Sequence, residues 1–445
     1  MTIGFGRAWY AATLWPVAFP WLTLPYVDNP VRPPLSSMPG PHGPLTSAEL
    51  DSVRRPVDQA SLLPPRVFHD RNVFEFEQSR WFARTWLCVA RGEDLPSPGA
   101  YVLVDVAGES VVLLRDRESQ VRAFHNVCRH RGSTLLDPVP AEDSGRVVRI
   151  QCPYHAWVYD LDGSLLRAPH TDELVDFDSG DYGLSSVRIA EWQGFVFVNL
   201  DAAAVPLAEH LHDLPAAIGP YPIGSLRRAR RIEYEVAANW KVIGENYSEC
   251  YHCPGVHPQL NRLSPYDRGR NLESEGPWAG GWMELVDAAQ TMSTDGGAHG
   301  RPPLAGIGAE HTRRVYYFVV WPNLLLSLHP DYVMTHRVCP IDAERSRVVC
   351  EWLFDPDVMV RPDFDPSDAV DFWDLTNRQD WAVCERQQIG TRSRGYVAGR
   401  YSLMEDMVHA FDLMVADGYA DDGSRTRFEP RHDKWATAPR RIRTG

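Results

Sequence analysis

The chain has 445 residues, 44% hydrophobic and 23% charged, the balance of a soluble globular protein with room for two or three domains. Its formal charge of −14 argues against a nucleic-acid binder, whose surface must neutralise phosphates. Eight cysteines are too few for a disulfide scaffold, and four of them stand beside histidines, which points to metal in a reducing compartment.

The N-terminus opens on MTIGFGRAWYAATLWPVAFPWLTLPYVDNP, apolar enough for a membrane or signal segment. Pro16, Pro20 and Pro25 interrupt it, only Arg7 precedes it, and no clear small-residue cleavage pattern follows. We expect neither anchor nor leader, but a disordered Pro-rich extension over 1–65, in which Met38 offers an alternative start. Residues 66–90 carry spaced aromatics on a charged background, the pattern of an amphipathic helix running into a strand. From 91 to 201 the period shifts to short β-rich runs punctuated by AGE, DRES and the hairpin dipeptide Asp162-Gly163. Residues 202–425 mix strands and helices. IEYEVAANWKVIGENYSECYH passes from an alternating strand into a helical pattern, and RRVYYFVVWPNLLLSLHPDYVMTHRVCPI with SRVVCEWLFD reads as long strands of one antiparallel sheet. DAVDFWDLTNRQDWAVCERQQIG and LMEDMVHAFDLMVAD are helical, and a basic tail follows over 426–445. The expected fold class is α+β, a small all-β domain inserted in a catalytic domain with a central antiparallel sheet. The basic run RRARRI (Arg227, Arg228, Arg230, Arg231) reads first as a solvated face; the functional alternative is a dock for an acidic electron-transfer protein.

Within the β domain stand Cys128-Arg-His130-Arg-Gly132 and Cys152-Pro-Tyr-His155, two loops that each offer one thiolate and one imidazole. A zinc finger takes its thiolates from one knuckle and its histidines from a helix, whereas here each loop is mixed and both lie in β structure. The arrangement suits a two-iron cluster with both cysteines on one iron and both histidines on the other. This pattern, C-x-H then C-x2-H, resembles the Rieske [2Fe-2S] centre, whose neutral imidazoles raise the reduction potential. Two features depart from it: PAEDSG between the loops looks like a surface insertion, and Ala156 stands where a glycine is usual.

Such a cluster moves one electron at a time and binds no carbon substrate, so a second centre must use the electrons. In NWKVIGENYSECYHC, Glu245, Glu249 and His252 fall at i, i+4 and i+7, which predicts that all three project from one helix face. Pro254 and Gly255 then break the helix and let His257 return toward His252. Two converging histidines need one carboxylate to make the facial triad of non-haem Fe(II) oxygenases. Residues 239–258 resemble the catalytic iron motif of Rieske oxygenase α subunits, E-N-x-x-E-C-Y-H-C-x-x-x-H-P. QDWAVCERQQIG resembles the same family's D-x3-C-E-x2-Q-x-G, which makes Asp380 the third ligand. Cys250 and Cys253 invite zinc or a disulfide, but no partner knuckle follows, and we read them as packing residues flanking the site. His329 in SLHPDY is read as a hydrogen-bonded core residue rather than a pocket residue.

The resemblance covers about residues 66 to 420. It implies a helix-grip catalytic domain carrying mononuclear Fe(II), and a cytoplasmic terminal oxygenase fed from NAD(P)H through a reductase, with or without a ferredoxin. It also implies a homotrimer in which the cluster of one subunit faces the iron of its neighbour. Glu249 would then accept hydrogen bonds from the outer nitrogen of His252 and from His155 of the partner subunit. Most ring-hydroxylating relatives carry aspartate there, while glutamate, with SLHPDYVM, is similar to the choline, glycine betaine and carnitine monooxygenase branch. Trp278, Trp282, Tyr316, Tyr317, Trp321 and Tyr332 are candidates to line a pocket for a quaternary ammonium group. An aromatic-ring dioxygenase, a Rieske electron carrier without oxygenase activity and a zinc-binding module stand as alternatives.

Overall fold

In the computed structural model, residues 43–138 and 145–420 are described, together with 427, 428 and 430. Part of the stretch expected to be disordered is folded. Helix α1 (Ser47–Val53) begins at a reciprocal cap, in which the Thr46 hydroxyl accepts from Glu49 N and Thr46 N donates to the Glu49 carboxylate. Leu45, Leu50 and Val53 are buried, and Arg54 pairs with Asp417 at 2.7 Å, so this segment is tied to the C-terminal helix described below. Residues 1–42, nearly all of PAEDSG and most of the basic tail lie outside the described residues.

Helix α2 (Arg71–Glu77) leads through a short π-turn into β1 (Leu87–Arg91), the expected helix-to-strand passage. The β domain follows as β2 (Ala100–Val106), β3 (Glu109–Arg115), β4 (Val121–His125), β5 (Gly145–Arg146), β6 (Ile150–Gln151), β7 (Val158–Tyr159), β8 (Leu165–Arg167), β9 (Arg188–Trp192) and β10 (Phe195–Asn199). These form sheets in the orders β4-β3-β2-β5, β6-β7-β8 and β1-β10-β9. The turn at Asp162-Gly163 requires its glycine: φ is +87° and an added Cβ would lie 2.4 Å from the Phe124 ring.

After α3 (Leu207–Leu211) and α4 (Leu214–Ile218) comes the large sheet, whose strands are β11 (Arg227–Val236), β12 (Gly269–Asn271), β13 (Trp278–Glu284), β14 (Arg314–Val320), β15 (Leu324–Leu328), β16 (Val333–Asp342) and β17 (Arg345–Phe354). All seven are antiparallel in the order β11-β17-β16-β15-β14-β13-β12. Between and after them run α5 (Trp240–Tyr247), α6 (Cys253–Val256), α7 (Pro258–Leu263), α8 (Pro356–Met359), α9 (Ser367–Thr391) and α10 (Asp406–Ala420). The α+β expectation therefore holds, with the long strands and late helices where the periodicity put them.

The two-residue period of β15 explains where a site can form. Leu324, Leu326 and Leu328 face a core shared with Phe195 and Phe197 of β10 and Leu207 and Leu214 of α3 and α4. Each such burial stabilises by about 2 kcal/mol. Ser327 points the other way and meets the Tyr247 hydroxyl of α5 at 2.9 Å, so α5 and its neighbour α9 cover the opposite face. The basic run RRARRI lies on β11: Arg228 pairs with Asp94 at 2.7 Å and Glu351 at 2.6 Å, Arg231 pairs with Glu233, and Arg227 and Arg230 are exposed.

Candidate active site

The β-domain loops meet as their spacing suggested. Cys128 and Cys152 are buried with free thiols, and the His130 and His155 rings lie 4.8 Å apart. His130 stacks on Trp157 at 4.9 Å, and the Tyr159 hydroxyl lies 3.2 Å from the Cys128 sulfur. His155 Nδ1 is buried with no hydrogen-bond partner, an orphaned lone pair of the kind that an iron would complete. The departure at Ala156 also has a physical meaning. Its φ is +55°, in the left-handed region where glycine carries no steric penalty and alanine pays about 1 kcal/mol.

The second constellation converges more tightly. His257 Nε2 lies 3.1 Å from His252 Nε2 and 2.8 Å from Asp380 Oδ1, and His252 Nε2 lies 3.3 Å from the same oxygen. Three donors at roughly 2.1 Å on perpendicular axes would be about 3.0 Å from one another, so these side chains already describe one face of an octahedron around a single point. The electrostatics favour a cation there. Burial opposes charge on both His252 and Asp380, yet the Asp380 and Glu249 carboxylates raise His252 to about 10, and the two imidazoles hold Asp380 below its ordinary value.

The local chain path differs from the helical spacing read in the sequence. Helix α5 stops at Tyr247, where the Ser248 hydroxyl donates to the Gly244 carbonyl at 2.6 Å, so Glu249 and His252 stand on a turn rather than on the helix face of Glu245. The break precedes Pro254 and Gly255; Pro254 instead occupies the first turn of α6, where its missing N–H is not needed. Cys250 and Cys253 are not merely packing residues, since they are bonded to each other as a disulfide across this turn. Glu249 Oε1 meets His252 Nδ1 at 2.5 Å, and its other oxygen accepts from His252 N at 3.1 Å. Glu245 points away, into a buried contact with Asp412 of α10.

Beside the triad lies a cavity of about 120 Å³, lined among others by Tyr247, Tyr266, Trp282, Tyr317, Trp373 and Met407. Of the aromatic candidates, Tyr317 lines it, and Trp282 borders it while packing against the far-face core with Arg314 over its ring. Trp278 and Tyr316 belong to the core on the far face of the sheet, Trp321 packs with Trp81 and Trp240, and the buried Tyr332 hydroxyl donates to Met292 O. His329 does not line it either. Its ring is fully buried, stacked on Tyr332 at 4.1 Å, and neither ring nitrogen has a partner, which corrects the hydrogen-bonded reading. Sequence reasoning missed Tyr247, Tyr266, Trp373 and Gln379. Only the neighbourhood of the iron motif signalled Tyr247, and Gln379, whose Oε1 lies 2.8 Å from His257 Nδ1, was signalled only by preceding Asp380.

Comparison with known proteins accords with this geometry. The profile of the Rieske [2Fe-2S] domain matches residues 85–178, and that of the ring hydroxylating alpha subunit (catalytic domain) matches residues 223–421. The carnitine monooxygenase oxygenase subunit of Escherichia coli is 32% identical, over 78% of this chain and 88% of its own. The chain belongs to the Rieske oxygenase α-subunit family. The glycine betaine monooxygenase oxygenase subunit of Pseudomonas aeruginosa is 29% identical, over 82% of this chain and 90% of its own. The crystal structure of the quaternary ammonium Rieske monooxygenase CntA with L-carnitine superposes with a TM-score of 0.68 at 27% identity, covering 84% of this chain and 99% of that one. Naphthalene 1,2-dioxygenase from a Rhodococcus species also has a TM-score of 0.68, at 16% identity over 85% of this chain and all of its own, and shares the fold. As an α subunit of this family the protein is an oxygenase component whose cofactors are a Rieske [2Fe-2S] cluster and a mononuclear iron, with electrons drawn from NAD(P)H through a partner reductase. Among the described residues no helix is long and apolar enough to cross a membrane.

Proposed function

We propose that this α subunit is a monooxygenase that N-demethylates a small quaternary ammonium compound bearing a polar or anionic group. The observation that carries the reading is the small aromatic cavity beside the triad. At about 120 Å³ it is below the usual range of roughly 300–1,000 Å³ for pockets that hold drug-sized ligands, and its walls combine Tyr, Trp and Met with Arg270, Asn271 and Thr376, polar groups suited to the substrate's other end. An ammonium head against such faces gains about 0.5–2 kcal/mol by cation–π attraction. The names of the relatives support the same substrate class, and Glu249 itself agrees with that branch.

In this reading His252, His257 and Asp380 hold the iron, and Cys128, His130, Cys152 and His155 hold the cluster, within a cluster domain of 91–201 and a catalytic domain of 202–425. Iron held there supplies O2 activation, with one oxygen entering a C–H bond and the other leaving as water after two electrons and two protons. Tyr317 and Trp373 orient the N-methyl group, and the resulting N-hydroxymethyl product loses formaldehyde and a proton to leave the amine. Glu249 fixes His252 from its outer nitrogen and is the bridge for electrons arriving from a partner subunit's cluster in a cytoplasmic homotrimer. Support for that assembly is the exposed Tyr154 beside His155 and the exposed Tyr251 beside His252, apolar surface at both ends of the proposed path. The electron donor is a reductase, with or without a ferredoxin.

The test is a panel of quaternary ammonium compounds turned over with a surrogate reductase under labelled O2. The reading expects NADH-coupled formaldehyde release and at most one labelled atom per organic product. A labelled cis-diol from an arene, with no formaldehyde from any ammonium compound, would favour the dioxygenase alternative.

A further inference from the structure

The two imidazoles of the triad are supported differently. His252 turns its outer nitrogen, Nδ1, to the Glu249 carboxylate, whereas His257 turns Nδ1 to the side-chain amide of Gln379 at 2.8 Å. Gln379 and Asp380 are consecutive on α9, where neighbouring residues diverge by about 100° around the axis. That divergence lets Asp380 reach the centre while Gln379 reaches the buried His257 ring from outside.

A neutral imidazole has one N–H, and only the tautomer with that hydrogen on Nδ1 leaves the Nε2 lone pair facing Asp380 and His252. An amide oxygen at the outer nitrogen accepts that hydrogen and selects this tautomer; the reversed amide would place the hydrogen on Nε2 and close the site to metal. The choice of amide over carboxylate also has an electrostatic reason. Asp380 and Glu249 already carry two negative charges, which balance a divalent ion in a largely buried pocket. A third carboxylate would leave an uncompensated buried charge and favour a trivalent ion over a divalent one.

Resting on the metal-site reading above, we infer that Gln379 is a positioning residue that fixes the metal-binding tautomer of His257 and, by being neutral, holds the site at a charge suited to a divalent ion. The experiment uses full-length protein stripped of its mononuclear metal with the Rieske cluster retained, titrated with Co(II) and followed by the Co(II) visible bands; the cluster spectrum checks folding. Gln379→Met is expected to weaken Co(II) binding by about 10–100-fold. Gln379→Glu, which keeps an acceptor oxygen, is expected to bind at least as tightly as wild type and, loaded with iron, to show a lower Fe(III)/Fe(II) potential. Wild-type affinity in Gln379→Met would overturn the inference, as would equal weakening in both variants, which would make the position purely steric. A wild-type protein that binds no Co(II) would overturn the metal-site reading itself, a result distinguishable from a failure confined to Gln379.

Discussion

Glu245 and Asp412 make a buried carboxyl pair whose proton inventory can be weighed. Asp412 is fully buried, and its Oδ2 accepts from the Tyr401 hydroxyl at 2.6 Å while Oδ1 has no donor; Glu245 Oε2 accepts from Gln387 at 3.2 Å. Each carboxyl thus lies beside the other with few donors around it, which favours its protonated form. Burial is the largest cause raising both groups, with Asp412 pushed from 3.8 to about 7 and Glu245 well above its ordinary value by the neighbouring Asp412; the nearby Lys241 opposes this only in part. Asp412 gives up its proton near pH 4 in the unfolded chain and keeps it to about 7 in the native protein, so native stability falls as pH rises through that window. At about 1.4 kcal/mol per pH unit for one proton, the loss is about 4 kcal/mol in all. Glu245→Gln keeps the shape and offers Asp412 an amide N–H, which favours the ionised Asp412 and narrows the gap between its folded and unfolded values. Thermal midpoints of wild type and variant should therefore converge or reverse between pH 5 and pH 8, with the variant gaining relative to wild type as pH rises. A difference that stays constant across that range would refute the coupling between the two carboxyls.

Asp380→Ala should leave the reduced-cluster EPR signal intact, abolish turnover and lower iron from about three to about two per chain; turnover that survives would displace Asp380 as ligand. Glu249→Gln should retain the mononuclear iron but slow single-turnover reduction of that centre, and an unchanged rate would remove its bridging role. Lys241 and Glu77 form an ion pair at 2.6 Å with both side chains fully buried, and Trp240 Nε1 and Tyr419 also donate to Glu77. Lys241→Met strands that carboxylate, and denaturant unfolding should show a loss of about 3–5 kcal/mol.

Much of the site was legible because its chemistry is written in residue types at short range. Cys128, His130, Cys152 and His155 lie on two tight loops, and His252 and His257 lie on one, so spacing alone narrows what they can bind. The folded segment around α1 was legible too, through Thr46 and Glu49, but its proline-rich surroundings argued for a linker, and the burial of Leu50 and Val53 depends on a helix that comes hundreds of residues later. The helical spacing of Glu245, Glu249 and His252 misled, because a 3.6-residue period assumes that the helix continues, and the Ser248 cap ends it one residue after Tyr247.

By itself the sequence determined the ligand types, the order of strands and helices and the family they resemble, since these depend on periodicity and on local donor sets. The tertiary structure alone decided the distances, with Asp380 at 2.8 Å from His257 and the Gln379 amide at 2.8 Å from the other ring nitrogen, and which aromatics border the cavity. The reason is that α9 reaches the turn after α5 only by packing over the large sheet, and that sheet sends alternate residues to opposite faces, so strand register sets which side chain meets the substrate.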